Sequence, residues 1–181
     1  METERLIMRR WRDDDRAPFA AMNADPEVME HFPATMTRAQ SDALVDRIEQ
    51  RFDELGYGLW ALEVRATGEF VGFTGLVLQT FEAHFNPSVE VGWRLARHAW
   101  GHGYAIEAAR RAVRHGFDAG LDEIVSMTAV GNVRSRAVME RLGMTRDPAD
   151  DFDHPNVRPD SPLRRHVLYR VKPGQVTRAE I

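Results

Sequence analysis

The 181-residue chain has no cysteine, which excludes disulfides, thiolate zinc sites and cysteine nucleophiles together. It has no apolar run approaching the roughly 20 residues that a bilayer-spanning helix needs. The first residues, Met1-Glu2-Thr3-Glu4-Arg5, are charged; neither export nor membrane insertion is signalled, and the cytoplasm is the expected compartment. Excess charge is also scarce. Basic side chains number 24 and acidic ones 28, for a formal charge of −4, so no global attraction to nucleic acid or to an anionic membrane is expected. Repeats, low-complexity tracts and dividing linkers are missing too. The expectation is one domain over residues 1–172, followed by a loosely held tail over 173–181.

What is present fits a folded chain, with 43% hydrophobic and 29% charged residues. Leu6 to Trp11 reads as a first strand, ended by Asp13 to Asp15. Phe19, Met22, Val28 and Met29 predict two small helices between Arg16 and His31, restarted at Asp25-Pro26. Thr37-Arg38-Ala39-Gln40 matches a capping box, and Leu44, Ile48, Phe52 and Leu55 follow at helical spacing up to Gly56. Leu59–Val64 and Phe70–Leu78 read as an antiparallel hairpin turned at Gly68. A strand at 89–95, a helix through Ile106, Ala109, Val113 and Phe117, a strand at 124–130 and a short helix at 133–142 complete a strand-helix-strand-helix run. Residues 147–162, rich in proline and aspartate, predict an irregular exposed loop, and Arg165–Val171 a last strand.

The segment Trp100-Gly101-His102-Gly103-Tyr104-Ala105 links the strand at 89–95 to its helix. A helix start leaves backbone N–H groups unpaired at the positive end of the dipole, a ready site for phosphate. A dinucleotide fingerprint would need a third glycine where Ile106 stands and an acid ending the next strand, whereas Asp122 and Glu123 precede it. A nucleotide-triphosphate loop would need Gly-Lys-Ser/Thr, which the chain lacks.

These glycines, together with Thr3-Glu4-Arg5-Leu6, Asn23-Ala24-Asp25-Pro26-Glu27-Val28-Met29 and Asn132-Val133-Arg134-Ser135 running on to Leu142-Gly143-Met144, resemble the GNAT superfamily of acetyl-CoA-dependent N-acetyltransferases. The resemblance spans about residues 3 to 145 and points to the branch of ribosomal-protein N-terminal alanine acetyltransferases. The family's pyrophosphate loop, Gln/Arg-x-x-Gly-x-Gly/Ala, is matched with Trp100 at its first position. The resemblance implies an α+β fold, three layers α/β/α, with a mixed, strongly twisted sheet of about seven strands. In it the strands at 89–95 and 124–130 run parallel and splay apart.

The resemblance further implies that acetyl-CoA is the co-substrate, with no metal, and that its pantetheine arm bonds the free strand edge at Trp93, Arg94 and Leu95. Its pyrophosphate would rest on the amides of Gly101, His102, Gly103, Tyr104 and Ala105. Asn132 would contact pantetheine and Ser135 would lie near the sulfur. Acetyl transfer needs a neutral amine, a polarised carbonyl and a proton for the leaving thiolate. Glu90 is the candidate base and Ser135 the candidate acid, while a backbone N–H near Trp93 or Arg94 would stabilise the oxyanion. By alternation Glu90 is equally an exposed strand residue, and Asn132 equally a helix cap.

Tyr169 fits core packing better than an acid's role. His98 and His102 lack the geometry and the neighbouring carboxylate of a metal pair. With Arg97 they are expected to assist the cofactor phosphates electrostatically. Asp150, Asp151, Asp153 and His154 are candidates to meet a cationic acceptor. The expected acceptor is a primary amine, either a protein N-terminus or a small molecule, and a homodimer is the candidate assembly. A non-catalytic acyl-CoA-binding module is the alternative.

Overall fold

A computed structural model describes residues 1–176. Its strands are β1 (Leu6–Arg9), β2 (Leu59–Val64), β3 (Phe70–Gln79), β4 (Ser88–Leu95), β5 (Ile124–Ala129), β6 (Thr145–Arg146), β7 (Phe152–Asp153) and β8 (Arg165–Val171). The helices are α1 (Arg16–Ala24), α2 (Arg38–Leu55), α3 (Tyr104–Asp118) and α4 (Val133–Arg141). One eight-stranded sheet runs β1-β2-β3-β4-β5-β8-β6, with β7 beside β8. Every pairing is antiparallel except β4 with β5.

Local signals account for most boundaries. Thr37 accepts from the Gln40 N–H while the Gln40 side chain returns to the Thr37 backbone, and α2 ends at Gly56 with φ 75°. A left-handed residue there satisfies the last carbonyls, which is glycine's role. Asn132 Oδ1 caps α4 by accepting from the Ser135 N–H at 3.1 Å.

The second small helix expected near residue 28 does not form. Asp25 ends α1 in an extended conformation, and its carboxylate accepts from the Glu27 N–H at 2.8 Å. This side-chain bond substitutes for a helical one, and residues 26–33 become turns and bends. The loop at 147–162 is less irregular than expected: a 3-10 turn at Pro148–Asp150 and the short strand β7 lie within it, and β6 precedes it. Residues 173–175 form a turn closed by Gln175, and Val176 packs on the core; 177–181 of the expected tail lie outside the described residues.

The sheet presents two different faces. On one, Leu76 and Ile124 meet α3 at Gly116, where a Cβ would stand 2.8 Å from Ile124. Tyr169 turns to the same side as Ser126, its register partner, and its hydroxyl donates to Glu140 of α4 at 2.8 Å. On the other face, Phe73 packs against Phe19 of α1 with ring centroids 5.9 Å apart. Farther along that face Phe81, Phe85 and Phe152 cluster over Val125 and Leu168. Leu6, Met8, Leu62, Leu76, Ile124 and Leu168 are fully buried, each contributing about 1.5–3 kcal/mol.

Candidate active site

The parallel contact between β4 and β5 is a single register pair, Glu90 with Val125. Beyond it the strands separate, and the local bonds show why. The Met127 N–H, which a continuing ladder would give to a β4 carbonyl, interacts with the Glu90 carboxyl and favours its charged form. The Val91 carbonyl, left without a strand partner, accepts from the Ser126 hydroxyl at 2.9 Å. Side chains thus satisfy the last groups of the ladder, and a gap opens between β4 and β5.

Backbone alternation fixes which β4 groups face that gap. The Ala96 N–H bonds Val71 of β3 at 3.0 Å, so the N–H groups of Arg94 and Gly92 also point to β3 while those of Trp93 and Leu95 point to the gap. Leu95 offers its carbonyl there to Trp100 Nε1 at 2.9 Å. Of the three residues expected along the cofactor edge, Trp93 and Leu95 have backbone aimed into it; Arg94 does not.

Gly101 and Gly103 have φ of 81° and 79°, a region that costs other residues 1–2 kcal/mol, roughly. A Cβ on Gly101 would meet nothing within 4 Å, and one on Gly103 only the Arg5 guanidinium at 3.4 Å. Conformation, not crowding by protein, demands glycine, and the space above both is open. No side chain caps α3, so the N–H groups of its first turn face that space.

The N-terminal segment holds this loop. Glu107, in the first turn of α3, accepts from Thr3 Oγ1 at 2.6 Å, the Arg5 N–H at 2.8 Å and Arg5 Nε at 2.7 Å. Arg5 Nη1 also donates to the His102 carbonyl at 2.8 Å. Burial works against ionisation of Glu107, but these bonds outweigh it and hold the carboxyl below its usual range. The sequence signal was present in Thr3-Glu4-Arg5-Leu6; the partner at Glu107 was not readable from it.

A cleft of about 930 Å³ extends from this loop across the gap to the Phe73 face of the sheet. Glu90, Gly92 and Arg94 line it, on the same side of β4 as Phe73 by register. Glu90 therefore points into the cleft, which settles what alternation alone left open. Desolvation pushes its carboxyl up to about 7, against the opposing pull of bonds from the Gln79 amide and the Met127 N–H. Ser135 and Asn132 line the cleft from α4, and Asn132 Nδ2 donates to Thr128 Oγ1 at 2.9 Å. His154 and His166 line its far end, their ring centroids 4.9 Å apart. Burial lowers both imidazole pKa values.

Several groups expected to act electrostatically already have partners. Arg97 pairs with Glu27 at 2.8 Å and lies over the Trp100 ring at 4.8 Å, and His98 pairs with Glu69 at 2.9 Å. Asp150 is taken by Arg170 and His84, Asp151 by Arg146 and Asp153 by Arg165. Asp150, Asp151 and Asp153 are thus each paired with a basic group from outside the loop. His102 stacks on Tyr104 at 5.4 Å. Among the described residues, no group of three or more His, Asp or Glu could hold a metal, and no helix is long and apolar enough to cross a membrane.

Residues 5–145 match the family model described as "Acetyltransferase (GNAT) domain". The chain belongs to the GNAT acetyltransferase family. It is 34% identical over 145 residues to "Uncharacterized protein YkkB" of Bacillus subtilis, covering 78% of this chain and 83% of that one. An acetyltransferase structure from Agrobacterium tumefaciens is 26% identical, with TM-score 0.75 over 94% of this chain and 92% of its own. The Mycobacterium smegmatis RimJ structure, in complex with CoA-disulfide, shares the fold at TM-score 0.73 and 18% identity, covering 93% and 82%. The expected fold class stands, with two very short strands bringing the sheet to eight.

Proposed function

We propose that this acetyltransferase moves the acetyl group of acetyl-CoA directly to a primary amine, either a protein N-terminus as in the ribosomal-protein branch or a small molecule, in the cytoplasm and as one domain over residues 1–172. The observation that carries this reading is the break in the β4–β5 ladder at Glu90, which sets a carboxyl pushed up to about 7 beside an open strand edge.

The amides of residues 101–105 would hold the pyrophosphate, and the backbone of Trp93 and Leu95 the pantetheine arm. The bound donor supplies a thioester. Glu90 accepts a proton from the acceptor ammonium, directly or through water, and the free amine forms the new N–C bond. The Trp93 N–H, aimed into the gap, donates to the carbonyl oxygen as negative charge develops on it. As the C–S bond breaks, Ser135 gives its hydroxyl proton to the thiolate and regains one from the nitrogen, which sheds its second proton as the amide forms. Asn132 positions Ser135 through the N-cap bond.

An acetyl-CoA consumption assay across amines and N-terminal peptides tests the reading. Turnover that Glu90→Gln and Ser135→Ala each reduce is the expected result. Binding of coenzyme A with no turnover of any acceptor would favour an acyl-CoA-binding module, and absence of a thermal shift with coenzyme A would remove the donor itself.

A further inference from the structure

Among the described residues, the largely buried guanidinium of Arg94 has no counter-ion. Its Nη1 donates to Asn23 Oδ1 at 2.6 Å and approaches Met36 Sδ at 4.0 Å, both neutral groups. Its Nε is buried with no hydrogen-bond partner. No ion pair with any carboxylate forms among the described residues, whereas nearby Arg97 and Arg134 face Glu27 and Glu30. The guanidinium carbon lies over the Phe32 ring at 4.1 Å and the Phe73 ring at 5.4 Å. Nη2 has no acceptor among the described residues either, so beyond Nη1 the guanidinium keeps donor capacity of the kind that binds a carboxylate. An unpaired buried charge is costly and persists where function holds it.

Its surroundings give the missing anion a place. Glu90, Gly92 and Arg94 project to one side of β4, with roughly 13 Å of strand between the outer two. A Cβ built on Gly92 meets nothing within 4 Å, so the floor between acid and guanidinium is open. Val157, Leu163 and His154 complete the cleft beyond it. Desolvation brings the Arg94 pKa down to about 10, leaving it charged at neutral pH.

We propose that the acceptor is an amino-carboxylate, whose amine lies over Gly92 toward Glu90 and whose carboxylate is held by Arg94. An α-amino acid with an apolar side chain is the simplest member of the class. This rests on the N-acetyltransferase reading and narrows it: the site takes a small zwitterion, and the mildly acidic overall charge does not set its preference.

The test uses matched acceptors that differ at one group: phenylalanine and leucine, their carboxamides, the amines without the carboxyl, 1-aminoalkylphosphonates, and N-terminal peptides. Acids and phosphonates are expected to exceed amides and plain amines at least tenfold in kcat/KM. Arg94→Gln removes that preference by raising KM, about 10- to 100-fold, and Arg94→Lys restores part of it. Coenzyme A affinity is unchanged in both variants, and Arg94→Met folds with an equal or higher Tm.

Turnover of amides, amines or peptides as efficient as that of the acids overturns the inference and leaves the acetyltransferase reading intact. Weaker coenzyme A binding in Arg94→Gln overturns it in favour of a donor-phosphate role. A fall in Tm for all three variants, with acid preference retained, overturns it in favour of a structural role. Should no acceptor be turned over, thermal shifts of the coenzyme A-loaded protein decide: an acid-specific shift lost in Arg94→Gln supports the inference, and its absence overturns it.

Discussion

Gln79 sits diagonally across the β3–β4 pair from Glu90 and donates its amide to the Glu90 carboxyl at 2.5 Å. The bond favours the charged carboxylate, while burial disfavours it more strongly and leaves the group near 7. Activity therefore rises with pH through about 7 as Glu90 loses its proton. Gln79→Ala moves that acidic limb upward by roughly one unit, and Glu90→Gln abolishes the limb with most of the rate. Steady-state pH profiles measure both. Stability has the opposite sign: the folded protein holds this proton between the ordinary carboxyl value and 7, so the Glu90 contribution falls as pH rises through that window. Denaturant titration of the wild type against Glu90→Gln shows a smaller decline in the variant.

Gly101→Ala and Gly103→Ala place a Cβ where only left-handed backbone fits. Each costs about 1–2 kcal/mol of stability, read from urea midpoints. Because a Cβ on Gly101 meets no protein atom within 4 Å, its larger effect falls on the ligand. Coenzyme A affinity drops at least tenfold in calorimetry, while an affinity equal to wild type would place the pyrophosphate elsewhere.

Glu107 is held by Thr3 and Arg5. Removing the Arg5 guanidinium leaves the Glu107 carboxylate without its cation beside the loop at 101–105, so Arg5→Ala weakens coenzyme A about tenfold, an order set by charge-assisted bonds. Tm changes little, since the exposed guanidinium contributes little to stability. Glu107→Gln combined with Arg5→Ala recovers part of the affinity, which a double-mutant cycle reads directly.

Gly75 pairs with Leu59 at the start of β2, where an added Cβ would stand 1.9 Å from the Gly58 carbonyl oxygen and 2.7 Å from Leu59 Cα. Backbone on both sides cannot yield cheaply. Gly75→Ala is expected to lose several kcal/mol, on the scale of severe overpacking, seen as loss of the cooperative thermal transition. Gly68→Ala, in an open turn at φ 72°, shows only the smaller strain of the left-handed region.

Much of the architecture was legible because its signals are local. The Thr37–Gln40 box, the terminating Gly56, the Gly68 hairpin and the Asn132 cap each act within one turn of chain. The false helix near residue 28 shows the limit, because an Asp25 carboxylate bonding the Glu27 N–H competes with helix on equal terms. The candidate site was half legible. Gly101 and Gly103 could be picked out by type and spacing, and Asn132 and Ser135 by the family resemblance, yet Gln79 and Glu90 come together only through the register of the β3–β4 hairpin. Arg94 was read as backbone edge, although a charge alternating with Glu90 on an apolar strand was a usable signal.

The sequence by itself determined the elements, their order and the phosphate-ready loop, because capping, turn conformation and hydrophobic period depend on residues a few positions apart. Tertiary structure alone decided which face Glu90 takes, what holds Glu107, and which charges are cancelled. Asp150, Asp151 and Asp153 looked available in sequence and prove to be paired, whereas Arg94 looked ordinary and has no counter-ion among the described residues. Charge has meaning only against its neighbours and its burial, and both are set by segments far apart in the chain.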